Sequence, residues 1–145
     1  MNHKTITDSR IKHEGKVMQG DLNRYGLMHG GRLLTLCDEV GYLSAMKHTG
    51  CDCLTRAVHD VQFLSMMKEG DSYTVESQVV LTGNTTLWTT CTVILEGKTV
   101  MHAVFVYIAI DKNFKSQPVE PIHAESEAEQ IEQRRMQALI DQVTP

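Results

Sequence analysis

The sequence has little that would carry it into a membrane or onto a polyanion. No apolar run reaches the ~18–20 residues of a spanning helix, and Asn2, His3 and Lys4 interrupt the N-terminus before a signal-peptide core can form. Positive charge is in deficit. Fourteen Lys and Arg stand against 18 Asp and Glu, a formal net charge of −4 at pH 7, so no excess is available for nucleic acid or an anionic lipid surface. Glycine-rich phosphate loops are absent, and basic residues do not alternate with aromatics, which argues against nucleotide hydrolysis and nucleic-acid binding. Cysteine is sparse: Cys37, Cys51, Cys53 and Cys91 are irregularly spaced and read as free thiols, making the cytoplasm the expected location. What remains is ordinary globular usage, 41% hydrophobic and 22% charged, in 145 residues that suit one domain with one core.

Along the chain, residues 8–18 mix apolar and charged positions and predict a strand. The segment Gly20 to Gly31, GDLNRYGLMHGG, carries four glycines and predicts irregular backbone. Leu33, Leu36, Cys37, Val40, Leu43 and Met46 then recur at helical spacing, predicting a helix over about 31–48 that stops before Gly50. Four strands are expected at roughly 54–65, 71–83, 85–97 and 98–110. The turn sequences Glu69-Gly70-Asp71, Gly83-Asn84 and Glu96-Gly97-Lys98 separate them and suggest a meandering antiparallel sheet. Val100 to Ile110 is almost unbroken apolar, as in a strand covered on both faces, by the helix and by a partner subunit or another element. Trp88 is assigned to the core. The tail beyond Pro118 and Pro121 reads as a solvent-facing helix.

Three features carry chemistry. Asp38 falls among Leu34, Leu36, Cys37 and Val40, where a carboxylate is costly without a partner; a solvent-facing position at the edge of the apolar stripe fits the spacing equally well. His29-Gly30-Gly31 opens the helix, where unpaired N–H groups and the positive helix end can stabilise a developing oxyanion. The glycines also suit tight helix-to-sheet packing. Asn23 can orient a water or carbonyl through its amide, or cap a turn. His48, Cys51 and Cys53, with His59, match no standard zinc spacing, so no metal is expected. His29 has the ring of a general base, a role weighed against a structural one.

The set Asp21-Leu22-Asn23, Gly26, His29-Gly30-Gly31 and Asp38 nine residues beyond His29 continues into Val58 to Leu64, Glu69-Gly70-Asp71, Gly83-Asn84-Thr85-Thr86 and Ala103 to Asp111. Together these resemble the hotdog-fold acyl-CoA thioesterases, in their single-domain cytosolic acyl-CoA hydrolase branch, over about Arg10 to Ile110. The resemblance implies an α+β fold: a curved antiparallel sheet of five to six strands around one long central helix, plus a C-terminal helix. One domain would fill 1–145, with its core at about 8–112 and a helical tail at about 121–143.

It further implies hydrolysis of acyl-CoA to a free acid and coenzyme A, with no cofactor or metal beyond the coenzyme A of the substrate. Asp38 takes the place of the catalytic carboxylate, as general base or nucleophile, and Asn23 that of the helper amide. The N–H of Gly30 or Gly31 polarises the thioester carbonyl. His29, Arg56, Thr85 and Thr86 fall at substrate-binding positions, Arg56 suiting a coenzyme A phosphate or an ion pair with Asp60 or Glu39. The family's sheets pair side by side in a homodimer, implying a site shared between subunits and a hexamer built as a trimer of dimers.

Three departures stand out. Arg56, beside Thr55, occupies the place of a small hydroxyl residue; His59 replaces an acidic one; and Ser65-Met66-Met67 replaces a proline before the Gly-Asp turn. An aryl-CoA thioesterase of the phenylacetate type and a non-catalytic acyl-CoA sensor are the rival expectations.

Overall fold

The computed structural model describes residues 4–144. Five strands are seen among them, β1 (Ile11–Lys16), β2 (Cys53–Phe63), β3 (Ser72–Thr82), β4 (Thr86–Leu95) and β5 (Lys98–Ala109), in one antiparallel sheet of order β1-β3-β4-β5-β2. Three helices accompany them, α1 (Ile6–Ser9), α2 (Gly30–Thr49) and α3 (Glu127–Val143). α2 lies on one face of the sheet, touching all five strands. This is the α+β layout of a curved antiparallel sheet around a central helix, with a C-terminal helix besides.

Local chemistry sets most boundaries. α2 begins at its N-cap His29 and ends at Gly50, whose φ of 70° is the left-handed conformation that closes a helix with little strain in glycine. Glu96 and Gly97, with φ of 50° and 78°, form the two-residue turn that joins β4 to β5 with matching twist. The expected strand over 8–18 is shorter. Thr5 and Asp8 form a capping box that turns 6–9 into helix, and β1 starts only at Ile11.

The meander holds for β3, β4 and β5 but not for β2. Glu69-Gly70-Asp71 does not join antiparallel neighbours: β2 pairs with β5 at the far edge. The turn instead leads into β3, held to the end of β1 by Val17 N–H to Asp71 O (2.9 Å) and Gly70 N–H to Val17 O (2.9 Å).

The buried face of α2 is also rotated from the expected one. Leu33, Leu36, Cys37 and Val40 are buried, but Leu43 is exposed and the stripe continues through Gly41, Ser44, Ala45 and His48. Small side chains let the helix lie close to β5: a Cβ at Gly41 would fall on the Tyr107 hydroxyl. Ser44 Oγ donates to Ser9 O (2.7 Å), and Ser9 Oγ accepts from Val79 N–H (2.9 Å), so the polar members of the stripe are satisfied.

α3 is not simply solvent-facing. Its N-cap is Ser126, which accepts from Glu129 N–H (3.1 Å), so the helix starts six residues beyond Pro121. Met136 is buried in the core, and Gln133 Nε2 donates to Val80 O (3.1 Å) on the sheet face opposite α2. There Met136 and Leu139 border a hollow of about 200 Å³ with Val104, so this chain supplies part of the second cover of β5. Glu129 is tied in as well. Burial would raise its carboxyl, but Glu125 N–H and the Thr7 hydroxyl, at 2.9 and 2.7 Å, hold it below the usual range. Trp88 is half-buried on that same face, stacked on His59 with centroids 5.7 Å apart.

Two stability predictions follow from the packing. Thr89 is fully buried with no partner for its hydroxyl among the described residues. Thr89→Val, which removes that desolvated group at constant shape, should raise stability by about 1 kcal/mol, read as a Tm about 3 °C higher. His48 at the end of α2 is buried, its Nε2 2.7 Å from Glu120 O, and burial lowers its pKa below the usual imidazole range. Glu120, Lys4 and His123 are the charged or titratable groups around it. The unfolded chain therefore takes up a proton first as the pH falls, and stability present above about pH 6.5 should decline below it. Urea midpoints measured from about pH 7.5 to about pH 5 should show that decline, reduced in His48→Gln.

Candidate active site

Asp38 sits in the middle of α2, half-exposed, on the flank that looks toward β2. Its carboxylate is held through one oxygen. Thr55 Oγ1 donates to Oδ1 at 2.7 Å, and the Tyr107 hydroxyl lies 3.0 Å from Oδ1 and 2.8 Å from the Asp38 main-chain carbonyl. Oδ2 has no hydrogen bond among the described residues. Tyr107 is fully buried, and burial followed by the neighbouring Asp38 charge pushes its phenol far above the usual range, so it remains a donor. Cys91 beneath the same turn has its thiol pushed up by hydrogen bonding with Cys37 and by burial, which keeps it neutral beside the acid.

Thr55 reaches Asp38 because β2 bulges. Thr55 pairs with Tyr107 while Ala57 pairs with Val106, so Arg56 is the extra residue and its two neighbours point to opposite faces. At the place where Arg56 was noted as a departure, the hydroxyl that reaches Asp38 is that of its neighbour Thr55. Arg56 makes no ion pair with Asp60 or Glu39 among the described residues. With Thr86, His59, Trp88 and Val106 it lines a groove of about 330 Å³ on the face of the sheet opposite α2. Thr85 stays in the β3–β4 turn, its carbonyl accepting from Ala109 N–H at 3.0 Å.

At its N-terminus α2 offers a different chemistry. His29 Nδ1 accepts the Gly31 N–H (3.0 Å), and Arg32 and Leu33 bond back to His29 O at 3.0 and 3.1 Å. Gly30 alone in the first turn keeps an unpaired N–H among the described residues. Of the two expected donors, Gly31 is thus already engaged, and the His29 ring is a cap with Nδ1 as acceptor. The Phe63 ring lies over the opening, 3.4 Å from where a Gly30 Cβ would stand. The loop before the helix is fixed to it. Asp21 accepts from His29 N–H (2.8 Å) through its main chain and from Arg32 Nε (3.2 Å) and Met18 N–H (3.0 Å) through its carboxylate. Of the two roles expected of Asn23 as alternatives, the turn cap is the one observed. Its Oδ1 caps the turn by accepting Tyr25 and Leu27 N–H (2.9 and 3.1 Å), leaving Nδ2 free to donate beyond the loop.

The sequence-predicted residues therefore fall in four places: Asn23, His29, Gly30 and Gly31 at and before the helix start, Asp38 at its middle, Arg56 with Thr86 on the other face, and Thr85 in the β3–β4 turn. Thr55, Tyr107 and Phe63 are additions. Tyr107 was signalled by being the one hydroxyl on the inward positions of β5, otherwise Met101, Ala103, Phe105 and Ala109. No group of three or more His, Cys, Asp or Glu side chains converges as a metal site among the described residues, and His48 is directed to Glu120. Nor is any described helix long and apolar enough to cross a membrane.

Known proteins resemble this chain in sequence and fold. An uncharacterized acyl-CoA thioester hydrolase of Bacillus subtilis, YkhA, is 27% identical over 128 residues, 84% of this chain and 74% of its own. The crystal structure of an apo-hexameric acyl-CoA thioesterase superposes with a TM-score of 0.92 at 24% identity, over 98% of this chain and 95% of that one. Alanine variants of a Staphylococcus aureus acyl-CoA hydrolase superpose with TM-scores of 0.82–0.84 at 21–22% identity, over 98–99% of this chain and 94–98% of theirs. One replaces an asparagine, in complex with coenzyme A, one an aspartate fifteen residues later, and one a threonine seventeen beyond that. Asn23, Asp38 and Thr55 have the same spacing. Residues 25–102, more than half of the sequence, match the family model of the thioesterase superfamily, and the chain belongs to that superfamily.

Proposed function

We propose that the protein hydrolyses acyl-CoA thioesters at a site assembled from two copies of the chain. The observation that carries this reading is the anchored carboxylate: half-exposed Asp38 with Oδ1 held by Thr55 and Tyr107 and Oδ2 without a hydrogen bond among the described residues. Hydrolysis of a thioester needs a group that attacks or activates water, and donors where the carbonyl oxygen becomes negative. Asp38 supplies the first, as general base or nucleophile. Gly30 N–H at the positive end of α2 supplies the second, and Asn23, in the loop that leads into the helix, offers an Nδ2 with no hydrogen bond among the described residues. The spacing shared with the asparagine, aspartate and threonine replaced in the Staphylococcus aureus hydrolase supports these assignments.

Within one chain these groups do not converge. Eight residues of helix separate Gly30 from Asp38, about 12 Å along the axis, too far to serve one carbonyl. A second copy brings the missing half. β2 is an unpaired edge, and Leu54, Val58, Phe63 and Leu64 along it are exposed apolar side chains. Pairing of β2 with its copy would satisfy the open strand and cover them. Three such dimers give a hexamer, the assembly named for one structural relative. Arg56, Thr86 and Thr85 are read as contacts for the coenzyme A portion. The four free thiols fit a cytoplasmic location, and residues 1–145 are read as one domain.

Release of coenzyme A thiol from a panel of short, long and aromatic acyl-CoAs tests the reaction. Asp38→Asn should lower kcat about 10³-fold while coenzyme A still binds. Full activity in that variant would remove Asp38 from the chemistry. A wild-type protein that binds acyl-CoA without releasing thiol would be a sensor, and turnover confined to aromatic thioesters would make it an aryl-CoA enzyme. The shared site predicts complementation: Asp38→Asn mixed equally with Asn23→Ala and reassembled should recover about a quarter of wild-type activity, because each mixed dimer holds one intact site. A mixture no more active than its components argues for a site within one chain.

A further inference from the structure

Tyr107 is buried, lies on the sheet rather than on the helix, and reaches Asp38 from behind. We infer that Tyr107, seated in the space left by Gly41, is a positioning residue that fixes the Asp38 carboxylate so that Oδ2 is the reacting oxygen. The inference rests on the thioesterase reading above and deepens it, giving a function to a contact of Asp38 that the reading records only as an anchor.

The geometry gives the reason. One hydroxyl, 2.8 Å from the Asp38 carbonyl and 3.0 Å from its Oδ1, bridges the main chain and side chain of the same residue in a three-centre bond. Such a bridge ties χ1 and χ2 of Asp38 to the helix axis. Thr55, from a different strand, places its own donor on the same Oδ1 at 2.7 Å. Two donors from two strands define both position and rotation of the carboxylate, whereas Thr55 alone would leave it free to pivot about one contact. Oδ1 already accepts two hydrogen bonds, while Oδ2 has none among the described residues. The open one, Oδ2, is therefore the oxygen that takes a proton from water or attacks the carbonyl.

Gly41 completes the device. It lies three residues after Asp38, so it faces the sheet on the adjoining turn, and any Cβ there would meet the Tyr107 hydroxyl and ring. A tyrosine fully buried on β5 has no room to yield. The hydroxyl thus stays in place because the helix has no side chain at that point.

Tyr107→Phe keeps the ring and removes the bridge. Its kcat should fall about ten- to a hundredfold with KM nearly unchanged, since hydrogen bonds to charged groups have that scale. Thr55→Val should act in the same direction, and the double variant should lose less than the product of the two, because both act on Oδ1. Gly41→Ala provides a second route, moving the helix and Asp38 away from a hydroxyl that is retained, and should show the same loss in kcat. A wild-type kcat in Tyr107→Phe, or a loss shared equally with KM, overturns the inference.

The crystal structure of Tyr107→Phe reads the carboxylate without turnover. Asp38 is expected to leave its single rotamer, and an unchanged rotamer overturns the proposal whatever the kinetics. Asp38→Asn assayed alongside separates the two claims. If it is inactive while Tyr107→Phe is at full rate, only the positioning role fails; if it is fully active, the catalytic reading of Asp38 fails.

Discussion

An ionised carboxylate set into the apolar flank of a helix persists only where donors meet it. In this protein the donors come from the sheet and not from the helix that carries the acid. Asp38 is held by Thr55 of β2 and Tyr107 of β5, so its position is defined by the docking of α2 on two neighbouring strands. That docking depends in turn on the small residues of α2, Gly41 foremost, which let the helix axis approach β5 closely enough for a phenol to reach a main-chain carbonyl. Packing and chemistry are one constraint here. A bulkier residue at 41 would move the helix off the sheet and the acid off its donors together.

The helix also separates what the reaction needs together. Its first turn presents a single free N–H, at Gly30, because His29 caps Gly31 and the next two donors fold back onto His29. Its middle presents the acid. A helix is stiff, so flexing cannot bring these two points to one substrate atom, and on the function proposed above association of chains does so. The open edge of β2 and its row of exposed apolar side chains give that association a surface. The strand that orients Asp38 through Thr55 is the same strand that would pair with the partner.

The sequence disclosed elements whose signals are local and left obscure those decided by distant contacts. α2 was legible from its spacing and its glycine stop. β3, β4 and β5 were legible from their turns, with Glu96-Gly97 fitting the one hairpin geometry that needs two positive φ angles. The placement of β2 was not, because a turn sequence such as Glu69-Gly70-Asp71 states that the chain turns and not which strand it then joins. The capping box at Thr5 and the N-cap at Ser126 were signals present but unread, and they account for α1 and for the late start of α3. In the site, Asp38, Asn23 and the His-Gly-Gly segment stood out because they violate the local pattern. Tyr107 obeyed it: a tyrosine in an apolar strand is unremarkable until the helix opposite is known to lack a side chain. Thr55 was hidden by a bulge, since strict alternation would have put it on the same face as Ala57.

The bulge at Arg56 shows how one irregular residue can serve several demands. A regular β2 would present Thr55 and Ala57 to the same side, and a hydroxyl on Asp38 would then require a second inward residue two positions away, crowding the helix. Inserting Arg56 sends Thr55 toward α2 and Ala57 toward the groove shared with Thr86 and Trp88, and leaves a cation at the junction of the two faces. An edge strand tolerates this because only one of its sides is committed to a ladder. The irregularity therefore belongs where it is found, on the strand that holds the acid on one face, lines a groove on the other, and keeps an unpaired edge that the proposed dimer would use.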